Sequence, residues 1–84
     1  MDRYLGLDAH ASSCTLAVIG PSGKRLGSHV VETNAASLIE VLKTIPRPRH
    51  LCLEEGTLAG WLYEVLLPHV DEIVVAAVRE SRGP

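Results

Sequence analysis

The chain contains 84 residues, of which 46% are hydrophobic and 21% are charged, with a formal net charge of -2 at pH 7. This length excludes a two-domain protein, because domains rarely have fewer than about 50 residues, and the negative charge excludes a basic module that binds nucleic acid through its overall charge. The longest apolar run, residues 73–78, is too short for a membrane span, which needs about 20 residues. The N-terminus has no charged-then-apolar leader. We therefore expect one cytoplasmic domain over residues 1–84, with no membrane partner.

The first part of the chain has the pattern of three strands joined by tight turns. Apolar runs predict strands near residues 5–7 and 14–19. Residues 20–23, Gly-Pro-Ser-Gly, predict a type I turn, because proline suits its second position and glycine its fourth. A third strand over about residues 24–32 should then pair antiparallel with the second. Its polar Ser28 and Glu32 indicate the edge of the sheet.

Apolar residues at helical spacing predict a helix after the third strand. Thr33 or Asn34 can cap its start, and Pro46 and Pro48 end it. Its apolar stripe consists of Ala35, Leu38, Ile39, Leu42 and Ile45. One face of this helix should therefore lie against the sheet.

The rest of the chain predicts a strand, a second helix and a last strand. Residues 49–53 lie between prolines and a glycine, which predicts the fourth strand. Thr57 can cap the second helix and Pro68 ends it. The apolar face of that helix comprises Leu58, Trp61, Leu62, Val65 and Leu66. Residues 72–78 are nearly all apolar and predict a fifth strand that is covered on both faces.

The predicted order is strand, strand, strand, helix, strand, helix, strand. An antiparallel meander followed by two right-handed crossovers places the fourth strand parallel to the first, with the fifth strand beyond it. This order is typical of the α/β fold with a ribonuclease H-like, or RuvC-like, mixed sheet.

The placement of the cysteines favours a reducing compartment. Cys14 and Cys52 lie far apart, each inside an apolar run. Such placement is typical of reduced core residues rather than of a disulfide or a zinc site.

Two similar tetrads each end in an acidic residue. They are Leu-Gly-Leu-Asp, ending at Asp8, and Leu-Cys-Leu-Glu, ending at Glu54. If the first and fourth strands are parallel neighbours, both carboxylates emerge on one face at the carboxyl edge of the sheet, where open α/β sheets tend to bind ligands. Two adjacent carboxylates repel unless a proton or a cation lies between them. The pattern therefore indicates a site for Mg²⁺ or Mn²⁺, metals that serve in phosphoryl transfer.

Two alternatives remain open for these acids. Asp8 and Glu54 are equally typical of solvated residues at strand ends, and periodicity alone favours neither interpretation. Glu55 competes with Glu54 for the second position. The phase of the tetrads favours Glu54, because Glu55 would point to the opposite side or into the turn.

Three segments together resemble a known family. Residues 4–10 read Tyr-Leu-Gly-Leu-Asp-Ala-His, residues 20–24 read Gly-Pro-Ser-Gly-Lys, and residues 53–63 read Leu-Glu-Glu-Gly-Thr-Leu-Ala-Gly-Trp-Leu-Tyr. They are similar to the N-terminal domain of the DEDD transposases of the insertion-sequence 110 group, the bacterial mobile-element proteins related to the Piv invertase. The resemblance extends over essentially the whole chain. Its Glu-Glu-Gly-Thr stretch is more specific than the opening Gly-Leu-Asp.

The resemblance implies a RuvC-like nuclease domain in which four acids and Mg²⁺ or Mn²⁺ cut and join DNA strands. Asp8 matches the first acid and Glu54 the second, each as a catalytic residue and a metal ligand. The implied partners are DNA, a guide RNA in some members, and further copies of the chain in a homo-oligomer. A separate C-terminal domain of the family supplies a serine for strand exchange.

The family's third and fourth acids belong to an Asp-x-x-Asp stretch just beyond the fifth strand. Residues 79–84 read Arg-Glu-Ser-Arg-Gly-Pro, and no aspartate follows Asp71. We therefore expect a partial domain, incomplete at its C-terminus, that holds half of the acidic site. Because two carboxylates cannot balance two divalent ions, the chain should bind metal weakly and be inactive alone.

Other residues give weaker indications. Arg47 and Arg49 lie in a short basic loop that could touch phosphate, although such loops are usually just solvated. Tyr63 lies off the apolar stripe of the second helix and is a candidate for stacking on bases, whereas Trp61 is expected in the core. His10 could orient a water near Asp8, but an ordinary surface histidine in a turn is the simpler interpretation.

Two other functions fit parts of the pattern. A nucleotide-binding phosphotransferase of the actin and sugar-kinase type also ends its first strand in Asp. That class needs a glycine two residues after the acid, where this chain has His10, so the pattern favours it less. A non-catalytic assembly module, which would meet a partner chain through an edge strand, is the third hypothesis.

Overall fold

The computed structural model describes residues 1–77, which form a five-stranded mixed sheet, two α-helices and a short 3-10 helix, Leu67–His69. The strands are β1 (Arg3–Ala9), β2 (Ser13–Ile19), β3 (Arg25–Glu32), β4 (Arg49–Glu54) and β5 (Glu72–Ala76), and the helices are α1 (Ala35–Lys43) and α2 (Ala59–Leu66). The strands lie in the order β3-β2-β1-β4-β5. β2 is antiparallel to β1 and β3, whereas β4 is parallel to β1 and β5. The predicted α/β, ribonuclease H-like order is confirmed.

Both helices pack against one face of the sheet, here called the helix face. Side chains alternate along each strand between this face and the opposite one, the open face. The core is aliphatic apart from one cysteine and comprises Leu5, Leu7, Cys14, Leu16, Val18, Leu51 and Leu53 from the sheet, and Leu38, Val41, Leu42, Ile45, Leu62, Leu66 and Val70 from the helices and adjoining segments. A sequence with one tryptophan, two tyrosines and no phenylalanine has to build its core in this way.

Side chains of the open face lie in three rows that cross β2, β1, β4 and β5. The amino-edge row lies near the start of β4, and the carboxyl-edge row lies at its end. The amino-edge row is Ile19, Tyr4, His50 and Glu72, the middle row is Ala17, Gly6, Cys52 and Val74, and the carboxyl-edge row is Thr15, Asp8, Glu54 and Ala76. Along β4 the two outer rows are four residues apart, or about 13 Å. Tyr4 and Val74 are 42% and 48% exposed, because both helices pack on the other face.

The turn predicted between β2 and β3 is present. The Gly23 N–H donates to the Gly20 carbonyl at 3.0 Å, a hydrogen bond from the fourth residue to the first of the kind that closes β-turns. Gly23 has a φ of +90°, which residues with a Cβ rarely adopt. The glycine at this position is therefore required by the backbone.

Asn34 rather than Thr33 caps α1. Its Oδ1 accepts a hydrogen bond from the Ser37 backbone N–H at 2.8 Å. Thr33 instead donates its hydroxyl hydrogen to the His10 carbonyl at 2.6 Å. The two residues that could both cap the helix thus have different tasks, and Thr33 ties the end of β3 to the turn after β1.

Replacing Asn34 with alanine should lower the free energy of unfolding by about 1 kcal/mol, because the Ser37 N–H loses its acceptor. Urea unfolding followed by circular dichroism measures this difference. Asn34→Ser keeps an acceptor at the same position and is the matched control, so it should stay close to the wild type. Equal losses in both variants would mean that the Asn34 side chain stabilises the protein through some other contact.

The start and orientation of α2 differ from the prediction. Its N-cap is Leu58, which makes no side-chain hydrogen bond, rather than Thr57. Trp61 is 39% exposed rather than buried, because the buried stripe is centred on Leu62 and Leu66 and Trp61 lies beside it. No helix within the described residues is long and apolar enough to cross a membrane.

Two predictions about burial in β4 and β5 are wrong. Both cysteines are free, as expected, but Cys52 is exposed, since the alternation along β4 directs Leu51 and Leu53 to the core. β5 lies at the edge of the sheet, so Val74 and Val75 are partly exposed and the strand is not covered on both faces. Residue 78, the predicted end of this strand, lies outside the described residues.

Candidate functional site

Asp8 and Glu54 lie beside each other at the carboxyl edge of the sheet. Each follows by two positions a residue of the open face, Gly6 or Cys52, and these two are partners in the parallel register of β1 and β4. Residues two positions apart in a strand share a face. Both acids are exposed. The structure therefore brings the two predicted acids to one face of the same edge.

A cavity of about 370 Å³ opens at this edge and is called the carboxyl-edge groove. The ends of β1 and β4, the loops that follow them and the start of α2 line it. Its polar side chains include Asp8, His10, Glu54 and Glu55. A groove with three carboxylates attracts cations, because neighbouring negative charges repel one another until a positive charge lies between them.

A second cavity, of about 340 Å³ on the open face, distinguishes Glu54 from Glu55. It is lined by Asp8 and Glu54 but not by Glu55. Glu55 lies beyond the end of β4, and its backbone N–H donates to the Ala76 carbonyl at 3.0 Å. These positions favour Glu54 over Glu55 as the neighbour of Asp8.

His10 contacts Asp8 directly. Its Nε2 lies 3.3 Å from Asp8 Oδ2, although the two side chains are 69% and 67% exposed, so solvent keeps this pair weak. The backbone N–H of His10 donates to the Ser13 carbonyl at 3.0 Å, and the His10 carbonyl accepts a hydrogen bond from the Thr33 hydroxyl. The sequence favours an ordinary surface histidine in a turn here, and His10 is exposed. The spacing of two residues could have predicted its contact with Asp8, because it places both side chains on one side of an extended chain.

The oxygen donors of the site suit a hard divalent cation, but they are few. Carboxylate oxygens are typical ligands of Mg²⁺, which usually keeps several of its waters. Within residues 1–77, no group of three or more histidine, cysteine, aspartate or glutamate side chains is arranged to hold a metal ion. Asp8 and Glu54 would therefore supply two carboxylates, and water or a bound phosphate would supply the other ligands.

Arg47 and Arg49 lie near the start of β4, at the other edge of the sheet. The guanidinium of Arg49 is buried and donates to the carbonyls of Ile45 at 2.6 Å and His69 at 2.8 Å. Arg47 is exposed, and its Nε lies 3.2 Å from a carboxylate oxygen of Asp71. These contacts favour a structural role, and the structure brings neither arginine to the carboxyl-edge groove.

Asp71 joins these two arginines. The Arg49 backbone N–H, which donates to it at 2.6 Å, holds the pKa of Asp71 below its usual range, with a further contribution from the Arg47 guanidinium. Burial lowers the pKa of Arg49, but a guanidinium stays protonated at any physiological pH. Asp71 and both arginines therefore remain charged and fasten the start of β4 to the start of β5.

Tyr63 is 41% exposed on α2. Ala59 and Leu62 of the same helix line the carboxyl-edge groove, whereas Tyr63 does not. Trp61 is nearly as accessible as Tyr63, so α2 presents two aromatic side chains to solvent. Stacking of Tyr63 on bases stays a prediction, and Trp61 joins it as a candidate that the helical pattern had placed in the core.

Comparisons with known proteins yield structural likeness but no family. No family model matches the chain, and no curated protein matches it. Among the solved structures that resemble it is LC11-RNase H1 in complex with an RNA/DNA hybrid, with a TM-score of 0.44 and 10% sequence identity. The alignment covers 96% of this chain and 86% of that one.

Proposed function

We propose that the chain is a nuclease-type, nucleic-acid-binding domain whose carboxyl-edge groove binds a divalent cation through Asp8 and Glu54. The observation that carries the proposal is the placement of both acids on one face, at the ends of adjacent parallel strands. Mg²⁺ or Mn²⁺ held there would attract phosphate oxygens to a chain whose own formal charge is -2.

The finer proposal is a role in bacterial transposition, as the N-terminal part of a DEDD transposase of the insertion-sequence 110 group. The motif over residues 53–63 and the order of the strands support it. In this role Asp8 and Glu54 are the first two of four acids, and DNA is the substrate of strand cleavage and transfer. With two of the four acids, the chain should bind metal weakly and should not cleave DNA alone.

The chain's own residues would act by holding the two carboxylates in place. The register of β1 and β4 sets the spacing of Asp8 and Glu54. The hydrogen bond from Thr33 to the His10 carbonyl anchors the turn after Asp8, and the bond from the Glu55 N–H to Ala76 anchors the turn after Glu54. A bound divalent cation would supply Lewis acidity toward a phosphate ester.

Isothermal titration with Mn²⁺ tests the site. The wild type should bind weakly, and Asp8→Asn should abolish binding because it replaces one of two carboxylates with a neutral amide of similar shape. Glu54→Gln should weaken binding at least about tenfold, since even the loss of an outer-sphere partner costs that much at metal sites. Glu55→Gln makes the same change of charge one residue further on and should bind like the wild type.

The controls separate a defined site from general attraction of cations. Equal binding by Asp8→Asn and the wild type would overturn the metal site and favour the interpretation of solvated strand ends. Equal losses in Glu54→Gln and Glu55→Gln would show that the groove attracts cations only through its total charge.

Fluorescence anisotropy with a short labelled DNA duplex tests the nucleic-acid part of the proposal. The wild type should bind the duplex more tightly when Mn²⁺ is present, and Asp8→Asn should lose this dependence on metal. If wild type and variant bind equally well without metal, the nucleic-acid surface lies elsewhere. If metal binds but DNA does not, the proposed partner is wrong although the metal site is right.

The exposed apolar side chains of the open face support the assembly module as a second candidate function. Tyr4, Val30 and Val74 are 42%, 70% and 48% exposed. Size-exclusion chromatography that shows self-association, with no loss of metal binding in Asp8→Asn, would favour this function. The phosphotransferase is less favoured, because His10 stands where that class needs glycine; an ATP-induced rise in Tm would support it.

A further inference from the structure

The amino-edge row of the open face holds a histidine between two carboxylates. His50 Nε2 lies 2.9 Å from Asp2 Oδ2, and its Nδ1 lies 2.7 Å from Glu72 Oε1. The Tyr4 ring stacks on the imidazole, with centroids 4.9 Å apart and planes inclined by 18°. These four residues form the His50 cluster. Its central ring joins the segment before β1, the strand β4 and the edge strand β5.

The two hydrogen bonds of the cluster require two protons on one ring. An ionised carboxylate only accepts hydrogen bonds, and a neutral imidazole has a single N–H. Only the imidazolium form can therefore donate to Asp2 and Glu72 at the same time. Loss of one proton leaves a nitrogen lone pair facing a carboxylate oxygen, so one of the two contacts must open.

We propose that His50 is a pH-dependent clamp, which fastens the N-terminal segment and β5 to β4 while its ring is protonated and releases one of them when the ring loses a proton. The titratable groups that the described residues bring against the ring are Asp2, Tyr4 and Glu72. Both carboxylates favour the charged ring, and so does the stacked aromatic face. The clamp is independent of the metal site, because it uses neither Asp8 nor Glu54.

The direction of the pH effect follows from the hydrogen bonds. Those with Glu72 and Asp2 raise the pKa of His50 above its ordinary value of 6.5. Because the pKa is higher in the folded than in the unfolded chain, protonation stabilises the fold. This contribution is complete at pH values below the unfolded pKa and is lost as the pH rises through the raised, folded pKa. The clamp therefore opens on the alkaline side of about pH 6.5.

Release of Glu72 would act on an edge strand of the sheet. β5 pairs on one side only, with β4. At its far end the Ala76 carbonyl accepts a hydrogen bond from the Glu55 N–H, beside the carboxyl-edge groove. The clamp thus controls one end of an edge strand whose other end anchors a loop of that groove, about 13 Å away.

Nuclear magnetic resonance of the full chain tests the clamp through the ring nitrogens of His50. The spectra are recorded from about pH 5.5 to about pH 9. Both nitrogens should show the imidazolium signature at the acid end, and the midpoint of the His50 titration should lie above about 6.5. The double variant Asp2→Asn/Glu72→Gln should lower this midpoint. Glu40→Gln removes an exposed carboxylate from α1 and should leave the midpoint unchanged. A wild-type midpoint at or below about 6.5 would overturn the proposal.

A second measurement compares the Tm of the wild type with that of His50→Gln across the same pH range. The wild type should have the higher Tm near about pH 6, and its advantage should shrink toward about pH 8.5. A difference that stays constant with pH would show that His50 only packs and would overturn the clamp. If His50→Gln does not fold, the single variants Asp2→Asn and Glu72→Gln provide the same comparison.

Discussion

Replacing Leu51 with alanine is expected to lower the free energy of unfolding by about 2–5 kcal/mol. Leu51 lies in β4, between β1 and β5, and is 1% exposed at the centre of the core. Truncation should leave a cavity, because paired strands on both sides restrict the collapse of the site. A chain of this length has roughly 4–13 kcal/mol of stability in total, so the variant should unfold at a much lower urea concentration than the wild type.

The adjacent residue is a matched control for this prediction. Cys52 lies on the same strand but on the exposed, open face, so Cys52→Ala should change the free energy of unfolding by less than about 0.5 kcal/mol. Urea unfolding of both variants gives the comparison in one experiment. A loss for Cys52→Ala as large as that for Leu51→Ala would show that the open face is covered in solution.

The order of the elements could be predicted because prolines and turn residues lie at the ends of the helices and strands. Pro46 and Pro68 follow the two helices, and the turn at residues 20–23 separates two strands that can only pair antiparallel. The parallel position of β4 follows from the helical crossover that leads to it. These signals are local, so one sequence is enough to interpret them.

The burial of individual residues could not be predicted in the same way. Periodicity predicts the width of the apolar stripe on α2 but not its centre. It therefore predicts the same burial for Trp61 and Leu62, although only Leu62 is buried in the structure. The apolar runs containing Cys52 and Val74 similarly do not show that the helices occupy only one face of the sheet. Burial depends on which faces the tertiary structure covers.

The candidate site was predictable only in part, for the same reason. The positions of Asp8 and Glu54 follow from the phase of two strands, which is a local property. The contacts of Arg49 with His69 and of His50 with Asp2 are not local, since these pairs are 20 and 48 residues apart in the chain. The sequence around Arg49 is typical of a short basic loop. In the packed structure, however, the Arg49 guanidinium donates hydrogen bonds to backbone carbonyls of the same chain.

Replacing Arg49 with methionine is expected to cost about 2–4 kcal/mol of stability. The Arg49 side chain is 7% exposed, and its guanidinium donates to the carbonyls of Ile45, just after α1, and His69, at the end of a short 3-10 helix. Methionine retains the apolar length of the side chain, but it leaves the buried Ile45 carbonyl and the part-buried His69 carbonyl without this donor. The positive charge also favours these positions, because carbonyl groups at the C-terminal ends of helices are partially negative.

Two variants distinguish this internal role from contact with phosphate. Arg49→Lys keeps the charge but not the fork of donors, so its loss of stability should lie between those of the wild type and Arg49→Met. Arg47→Met removes an exposed arginine that pairs with Asp71 at the surface, and exposed pairs contribute little, so its urea midpoint should stay near that of the wild type. If Arg49→Met were as stable as Arg47→Met while both lost affinity for DNA, the arginines would belong to a nucleic-acid surface. A large loss of stability confined to Arg49→Met would place Arg49 in the core, where it holds α1 and the 3-10 helix at the start of β4.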